Sequence, residues 1–97
     1  MNMKVLFNSP KVTPIVAIRK ISVGSFRRRL TLAEKVAIQI STDPVVQVLQ
    51  QDLLTSTFVD LDFPELIAGL SYLVSVGILE EERVPEILKD GTEDELV

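Results

Sequence analysis

Three consecutive arginines, Arg27 to Arg29, are the side chains with the clearest chemical potential in this sequence. They follow Phe26 and precede a helix start at Thr31. An arginine guanidinium can hold a phosphate or a carboxylate with two parallel hydrogen bonds, and a helix start favours anions. The acidic remainder of the chain would repel a polyanion. We therefore expect these arginines to pair with carboxylates of this or another subunit, and we do not expect nucleic acid as the partner.

Carboxylates are the other candidates for chemistry. Asp60 and Asp62 lie two residues apart in a stretch that we expect to be extended, so they could act as a paired acid and base. Asp62 is better explained as a helix cap. The run Glu80 to Glu82 lacks the alternating ligands and the glycine turn of a calcium loop. Because the chain also has no histidine and no cysteine, we predict a non-enzymatic protein with no catalytic residue, no metal and no cofactor.

Charge divides the chain into two segments. Residues 1–30 carry a formal charge of +7 and no acid, whereas residues 31–97 carry −11, which together give the net charge of −4. Such a chain can attract copies of itself head to tail, or it can fold its own basic segment back. The longest uncharged apolar stretch, residues 66–79, is too short to span a bilayer, so we expect no contact with a membrane.

The segment after residue 30 contains clear helix start signals. Thr31 and Glu34 have the spacing of a capping box. Asp43 followed by Pro44 is typical of a capping residue with proline at the first helical position. We predict helices over about residues 32–41 and 44–56. The buried face of the first helix should be its apolar stripe of Leu32, Ala33, Val36, Ala37 and Ile40.

The third helix is predicted after a short extended link over residues 57–61. Asp62 should cap this helix, with Glu65 completing the capping box. Gly77 supplies the residue that ends it in a left-handed conformation. Its interior contains Gly69, which suggests either a close approach of another helix or no special role.

The last segment is harder to form as one helix, because Pro85 lacks an amide proton and would clash with the preceding turn. We predict a turn over residues 80–83 and a short helix over about residues 84–89, ended by Asp90 and Gly91. Residues 92–97 should form an acidic, frayed tail.

The first 30 residues are rich in β-branched residues and are interrupted by Pro10 and Pro14. This pattern favours short extended pieces at a sheet edge or in an arm. The predicted fold is mainly α, a small bundle of three to four short helices preceded by an extended, partly β N-terminal arm. The predicted organisation is a basic arm over 1–30, a helical domain over 31–91 and the acidic tail. The residues predicted to bind a partner are Val5, Phe7, Ile15, Ile18, Ile21, Arg27, Arg28 and Arg29.

The pattern resembles a family of small proteins of tailed bacteriophages, encoded near tail-tip and tail-fibre genes and mostly without an assigned function. The matching residues are Phe26 to Thr31, Glu34, Ala37, Ile38, Asp60 to Asp62, Pro64, Gly69, Leu73, Gly77 to Leu79, Arg83, Ile87 and Leu88. The chain departs from the family at Pro85, and its first 17 residues have no counterpart there. The resemblance implies a phage setting and a component of the virion tail.

Together these observations predict a structural or adaptor protein of a phage tail, at the tail tip, baseplate or fibre attachment. It would be made in the host cytoplasm and retained in the virion. Its partners would be copies of itself and other tail proteins, bound through the N-terminal arm. Two alternatives remain open: an intracellular phage regulator that binds nucleic acid or a host factor, and a tail assembly chaperone.

Overall fold

Two short strands and five helices follow one another along residues 17–97, the part of the chain that this computed structural model describes. Strand β1 (Lys20–Ile21) leads into α1 (Val23–Arg28), α2 (Leu32–Ile40) and α3 (Pro44–Leu54). Strand β2 (Val59–Asp60) precedes α4 (Pro64–Ser75) and α5 (Arg83–Ile87), and a 3₁₀ helix (Glu93–Leu96) comes last. The prediction of a small, mainly helical fold is confirmed. None of these helices is long and apolar enough to cross a membrane.

The strands join distant parts of the chain. β1 and β2 pair antiparallel, with Ile21 opposite Val59. On the other edge of β1, the amide of Gly91 donates to the carbonyl of Ile18 at 2.8 Å. β1 therefore lies between β2 and the residues that follow α5. Arg19 supports this arrangement on both sides, because its guanidinium lies 3.0 Å from the Asp62 carboxylate and 2.9 Å from that of Asp90.

Side-chain caps begin α2 and α3 as predicted. The Glu34 amide donates to Thr31 Oγ1 at 3.1 Å, and the Thr31 amide donates to Glu34 Oε1 at 2.8 Å. These two bonds satisfy amides that have no partner inside the helix. Asp43 accepts from the Val45 amide at 2.9 Å in the same role. The predicted helix bounds are thereby confirmed to within about two residues.

α4 begins differently from the prediction. Phe63 occupies the capping position and makes no side-chain hydrogen bond there, so the prediction that Asp62 is the cap is wrong. Asp62 instead pairs with Arg19 of the neighbouring strand segment, at 3.0 Å. The end of the helix is as predicted, because Gly77 has a φ of 82°, a conformation that strains any residue with a side chain.

The prediction of an extended arm up to residue 30 is wrong from Val23 to Arg28, which form α1. Ser22 caps this helix by accepting from the Ser25 amide at 3.0 Å. Six residues are too few to show a helical repeat of apolar positions, so the cap was the only local signal. α1 carries Phe26 into the core, where 2% of its surface remains exposed.

The end of the chain also differs from the prediction. Residues 93–96 form a 3₁₀ helix that contacts α1 and β1 rather than a frayed tail. The Ser22 amide donates to the Glu95 carbonyl at 2.8 Å. The short helix predicted over about residues 84–89 is present as α5, within about two residues of its predicted bounds. Its start at Arg83 places Pro85 in the first turn, where the missing amide proton removes no intrahelical bond.

A single aliphatic core unites these parts. Its most deeply buried side chains come from β1, α1, α3, α5 and the residue after β2, and are Ile21, Phe26, Val46, Ile87 and Leu61. Residues 18–30, which the sequence analysis placed in the arm, thus belong to the same packed body as residues 31–91. The chain folds this part of its basic segment onto its own acidic body.

Candidate protein-binding surfaces

The predicted partner-binding residues fall into three groups: residues outside the described part of the chain, two isoleucines, and the three arginines. Val5, Phe7 and Ile15 lie outside the described residues. Ile18 is half-buried and pairs through its backbone with Gly91. Ile21 is 1% exposed, so the expected contact with a partner is replaced by contacts inside its own chain.

The three arginines do not form one patch. Arg29 is held by its own chain: its Nε and Nη2 atoms donate to the two Glu95 oxygens at 2.9 and 2.8 Å. The same guanidinium donates to the carbonyls of Ile87 and Lys89 at 2.7 and 2.6 Å. Its side chain is 6% exposed, so it is not available to a partner. Arg28 is exposed and donates to Ser25 Oγ at 3.1 Å.

The contact with Arg29 changes the pKa of Glu95. The hydrogen bonds from Arg29 lower the pKa of its carboxyl group to about 2, against a smaller opposing effect of burial. The amide of Thr92 adds a further bond at 3.0 Å. Glu95 is therefore ionised throughout the neutral range and fastens the 3₁₀ helix to α1.

A second ion pair fixes how α2 is rotated about its axis. Arg83 of α5 donates from Nε and Nη2 to the two oxygens of Glu34 at 2.7 and 3.0 Å. Arg83 Nη2 also donates to the Arg29 carbonyl at 2.8 Å. These bonds keep the pKa of Glu34 below its usual value. The side of α2 that carries Glu34 consequently faces α5 and the interior.

This rotation turns the main apolar stripe of α2 to the outside. Ile38, one turn after Glu34, is only 8% exposed, whereas Leu32, Val36 and Ile40 are 75%, 48% and 72% exposed. Residues spaced by four form a line along a helix, so these three side chains make one continuous ridge. The prediction that they form the buried face is wrong. We call Leu32, Val36 and Ile40 the α2 ridge.

The wrong prediction for α2 has its cause in an ion-pair partner that is distant in sequence. α2 is apolar on more than one side, and hydrophobic spacing alone selects the side with the longer stripe. The side that is buried contains a glutamate, and its burial depends on an arginine 49 residues further along the chain. Local pattern carries no information on that pairing.

An apolar groove with a volume of about 430 Å³ lies on the opposite side of α2. Its floor consists of core side chains from α1 to α4, including Phe26, Ile38, Val46 and Leu70. Groove volumes of this order accommodate small ligands or several side chains of a bound peptide. The groove was not predicted from the sequence, because it is formed by four separate helices and the loop before β2.

The edge of this groove is aromatic and charged. Phe58 and Phe63 border it and are each about half exposed, at 47% and 48%. Carboxylates stand on the side formed by α3, β2 and α4, where the acidic residues are Asp52, Asp60 and Glu65. The basic residues at the edge, on α1 and α2, are Arg27 and Lys35. Of the predicted arginines, Arg27 is thus the one that the fold places at a candidate binding surface.

Gly69 allows the helices beside the groove to approach. A Cβ atom at this position would lie 3.1 Å from Leu49 Cδ2, closer than most side-chain contacts. Of the two interpretations of Gly69, close approach of a neighbouring helix is the one that the fold supports.

Comparisons of the chain with protein-family models, with curated proteins and with solved structures found no match. The resemblance to small tail proteins of bacteriophages therefore stays a prediction.

Proposed function

We propose that this chain is a non-enzymatic structural or adaptor protein of a bacteriophage tail that acts by binding other protein chains. The observation that carries the proposal is the outward orientation of the α2 ridge. A helix that presents its longest apolar line to solvent, opposite a face that is already buried, is suited to a second packing partner.

The energetics favour covering this ridge. Burying a Leu, Ile or Val side chain from water contributes about 1.5–3 kcal/mol. The ridge exposes about three quarters of both Leu32 and Ile40. Contiguous exposed apolar surface is a feature of interaction sites on folded proteins. A partner helix or strand laid along the ridge would gain this burial without displacing any part of the described fold.

The charged groups support binding rather than catalysis. Arg29 and Arg83 are engaged with Glu95, Glu34 and backbone carbonyls. These contacts join α2 to α5 and the residue after α1 to the terminal 3₁₀ helix. The sequence has neither histidine nor cysteine to serve as a proton shuttle or a thiolate nucleophile.

The phage setting, the tail position and the presence of several copies rest on the resemblance of residues 26–88 to small tail proteins. Under this proposal the partners are copies of the chain and other tail proteins, and the chain stays in the finished virion. Copies are also suggested by the division of charge, +7 against −11, which allows head-to-tail attraction in addition to the contacts within one chain.

A single substitution on the ridge tests the binding role. Ile40→Lys places a positive charge in the last turn of α2, where the helix dipole favours it, so the fold should be retained. We expect the variant to lose co-purification with other tail proteins, measured by pull-down from a phage lysate. Ser71→Lys is the matched control, because Ser71 is exposed on α4 and borders neither the ridge nor the groove. Equal binding by both variants and the unmodified chain would refute the role of the ridge.

Mass spectrometry of purified particles tests the tail assignment. A structural component should be recovered from intact virions at a constant ratio to the major tail proteins. Its presence in infected-cell extracts combined with its absence from particles would instead identify an assembly chaperone.

A further inference from the structure

The groove beneath Phe58 and Phe63 has no occupant among residues 17–97, although its floor is made of core side chains. We infer that the groove binds the N-terminal segment, residues 4–16, of a second copy of this chain. This inference rests on the proposed function, since it names the contact by which copies of the chain would join.

The composition of the segment fits the groove. Val5, Leu6 and Phe7 form one apolar group, and Ile15 and Val16 form another. The segment carries Lys4 and Lys11 and no acid. Its apolar side chains suit the floor, and its lysines suit the acidic side of the edge, where Asp52, Asp60 and Glu65 stand. Weak ion pairs at such an exposed edge would orient the segment, while burial of the apolar side chains would supply most of the affinity.

The prolines of the segment make binding less costly. Proline restricts its own φ angle and disfavours a helical conformation in the residue before it, and the segment contains Pro10 and Pro14. A segment that is already restricted loses less conformational entropy when it binds. An extended segment with apolar side chains at intervals is a common ligand of grooves at the surface of a folded domain.

The entry point of the chain favours a groove on a neighbouring copy. At Ile18 the backbone pairs with Gly91, on the edge of β1 that faces away from β2. The groove is lined by β2 and not by any of residues 17–22. Lys20 of β1 reaches its edge only from outside, with its ammonium group 5.1 Å from the centre of the Phe58 ring. Arg19 fixes this entry between Asp62 and Asp90. Ten residue steps separate Phe7 from Ala17 and can span about 35 Å, which is enough to reach a second molecule.

The proposed contact joins two different surfaces, the N-terminal segment of one copy and the groove of the next. Such a contact is heterologous, so repetition leads to a ring if the rotation closes and to a filament if it does not. The α2 ridge lies on the other side of α2 from the groove and stays accessible to a different tail protein.

The absence of cysteine from the chain permits a clean cross-linking test in the full-length protein. Phe7→Cys and Phe63→Cys are made as separate variants, mixed in equal amounts and oxidised mildly with copper phenanthroline. The expected result is a disulfide-linked pair of chains, formed severalfold more efficiently than in a mixture of Phe7→Cys with Glu81→Cys. Glu81 is an exposed residue that does not line the groove. Phe58→Cys provides a second probe of the groove edge if the Phe63 variant does not fold.

Each outcome separates the contact from the wider proposal. A yield no greater than that with Glu81→Cys overturns the inference, as does a chain carrying both Phe7→Cys and Phe63→Cys that links only within itself. If the unmodified chain is nevertheless a multimer by light scattering, the adaptor function stands and another surface joins the copies. If the unmodified chain is a monomer at every concentration and also enters no virion, both proposals fail.

Discussion

Arg29 of the segment after α1 holds Glu95 of the last 3₁₀ helix with two parallel hydrogen bonds of 2.9 and 2.8 Å. The pair joins residues 66 positions apart, and it is largely shielded from solvent, with 6% and 20% of the two side chains exposed. The arginine also satisfies backbone carbonyls at the end of α5. One side chain thus connects α1, α5 and the terminal 3₁₀ helix.

Glu95→Gln should destabilise the fold by about 1–3 kcal/mol, because it replaces a charged, two-bond acceptor with a neutral amide and leaves Arg29 incompletely paired. The free energy of unfolding from urea denaturation measures this. Glu93→Gln is the matched control: it makes the same chemical change in the same 3₁₀ helix, on an exposed side chain. We expect the control to change the stability by less than about 0.5 kcal/mol. Equal effects of the two substitutions would show that the pair contributes no specific stability.

The same pair predicts an acid-sensitive fold. The pKa of Glu95 falls from 4.5 to about 2 on folding. Between these values the unfolded chain binds more protons than the folded one, so stability is fully present above about pH 4.5 and is lost as the pH falls toward 2. The lowered pKa of Glu34 acts in the same direction. Urea unfolding at pH 6, 4 and 3 should show a decline that is shallower in Glu95→Gln, and parallel declines would contradict this assignment.

The helices from Thr31 to Gly77 could be predicted from the sequence because their signals are local. The capping box of Thr31 and Glu34, the cap at Asp43 and the glycine at the end of α4 each involve residues within a few positions of one another. The chemistry of such short-range contacts is contained in the sequence pattern.

The orientation of α2, the structure of residues 18–30 and the groove could not be predicted in the same way. Each depends on pairs that are distant in sequence, such as Glu34 with Arg83 or Ile21 with Val59. The division of charge was compatible both with a basic segment folded back on the acidic body and with a contact to a neighbouring copy. The ion pairs of Arg19 and Arg29 show which charges stay within the chain.

The position of the core predicts where the chain can be shortened. A chain that begins at Thr31 lacks Ile21, Phe26 and Leu30, all of which are buried. Loss of a buried phenylalanine side chain alone costs about 3–5 kcal/mol, comparable to the whole stability of a small domain. We expect this chain to be unfolded by circular dichroism, whereas one that begins at Ala17 should melt cooperatively. A folded Thr31 chain would show that residues 18–30 are dispensable for the core.

Substitution by alanine should change the stability of the fold in different ways at Gly91 and at Gly24. At Gly91 a Cβ atom would lie 2.7 Å from Cγ2 of Ile21 and 2.9 Å from Cγ2 of Ile18, so these side chains would have to move. Because Ile21 is buried and is stiff at χ1, we expect Gly91→Ala to destabilise the fold by about 1–3 kcal/mol.

Gly24, on the exposed side of α1, is the comparison for this substitution. The nearest atom to an added Cβ there is Arg28 Nη1 at 3.6 Å, an ordinary contact. Alanine also lowers the entropy of the unfolded chain and favours the helix, so Gly24→Ala should be neutral or stabilising by up to about 1 kcal/mol. In thermal unfolding, the midpoint of Gly91→Ala should therefore be lower than that of the unmodified chain. The midpoint of Gly24→Ala should be unchanged or higher. An unchanged unfolding midpoint for Gly91→Ala would mean that the segment after α5 does not lie against β1. The argument that the N-terminal segment enters the fold away from its own groove would then also fail.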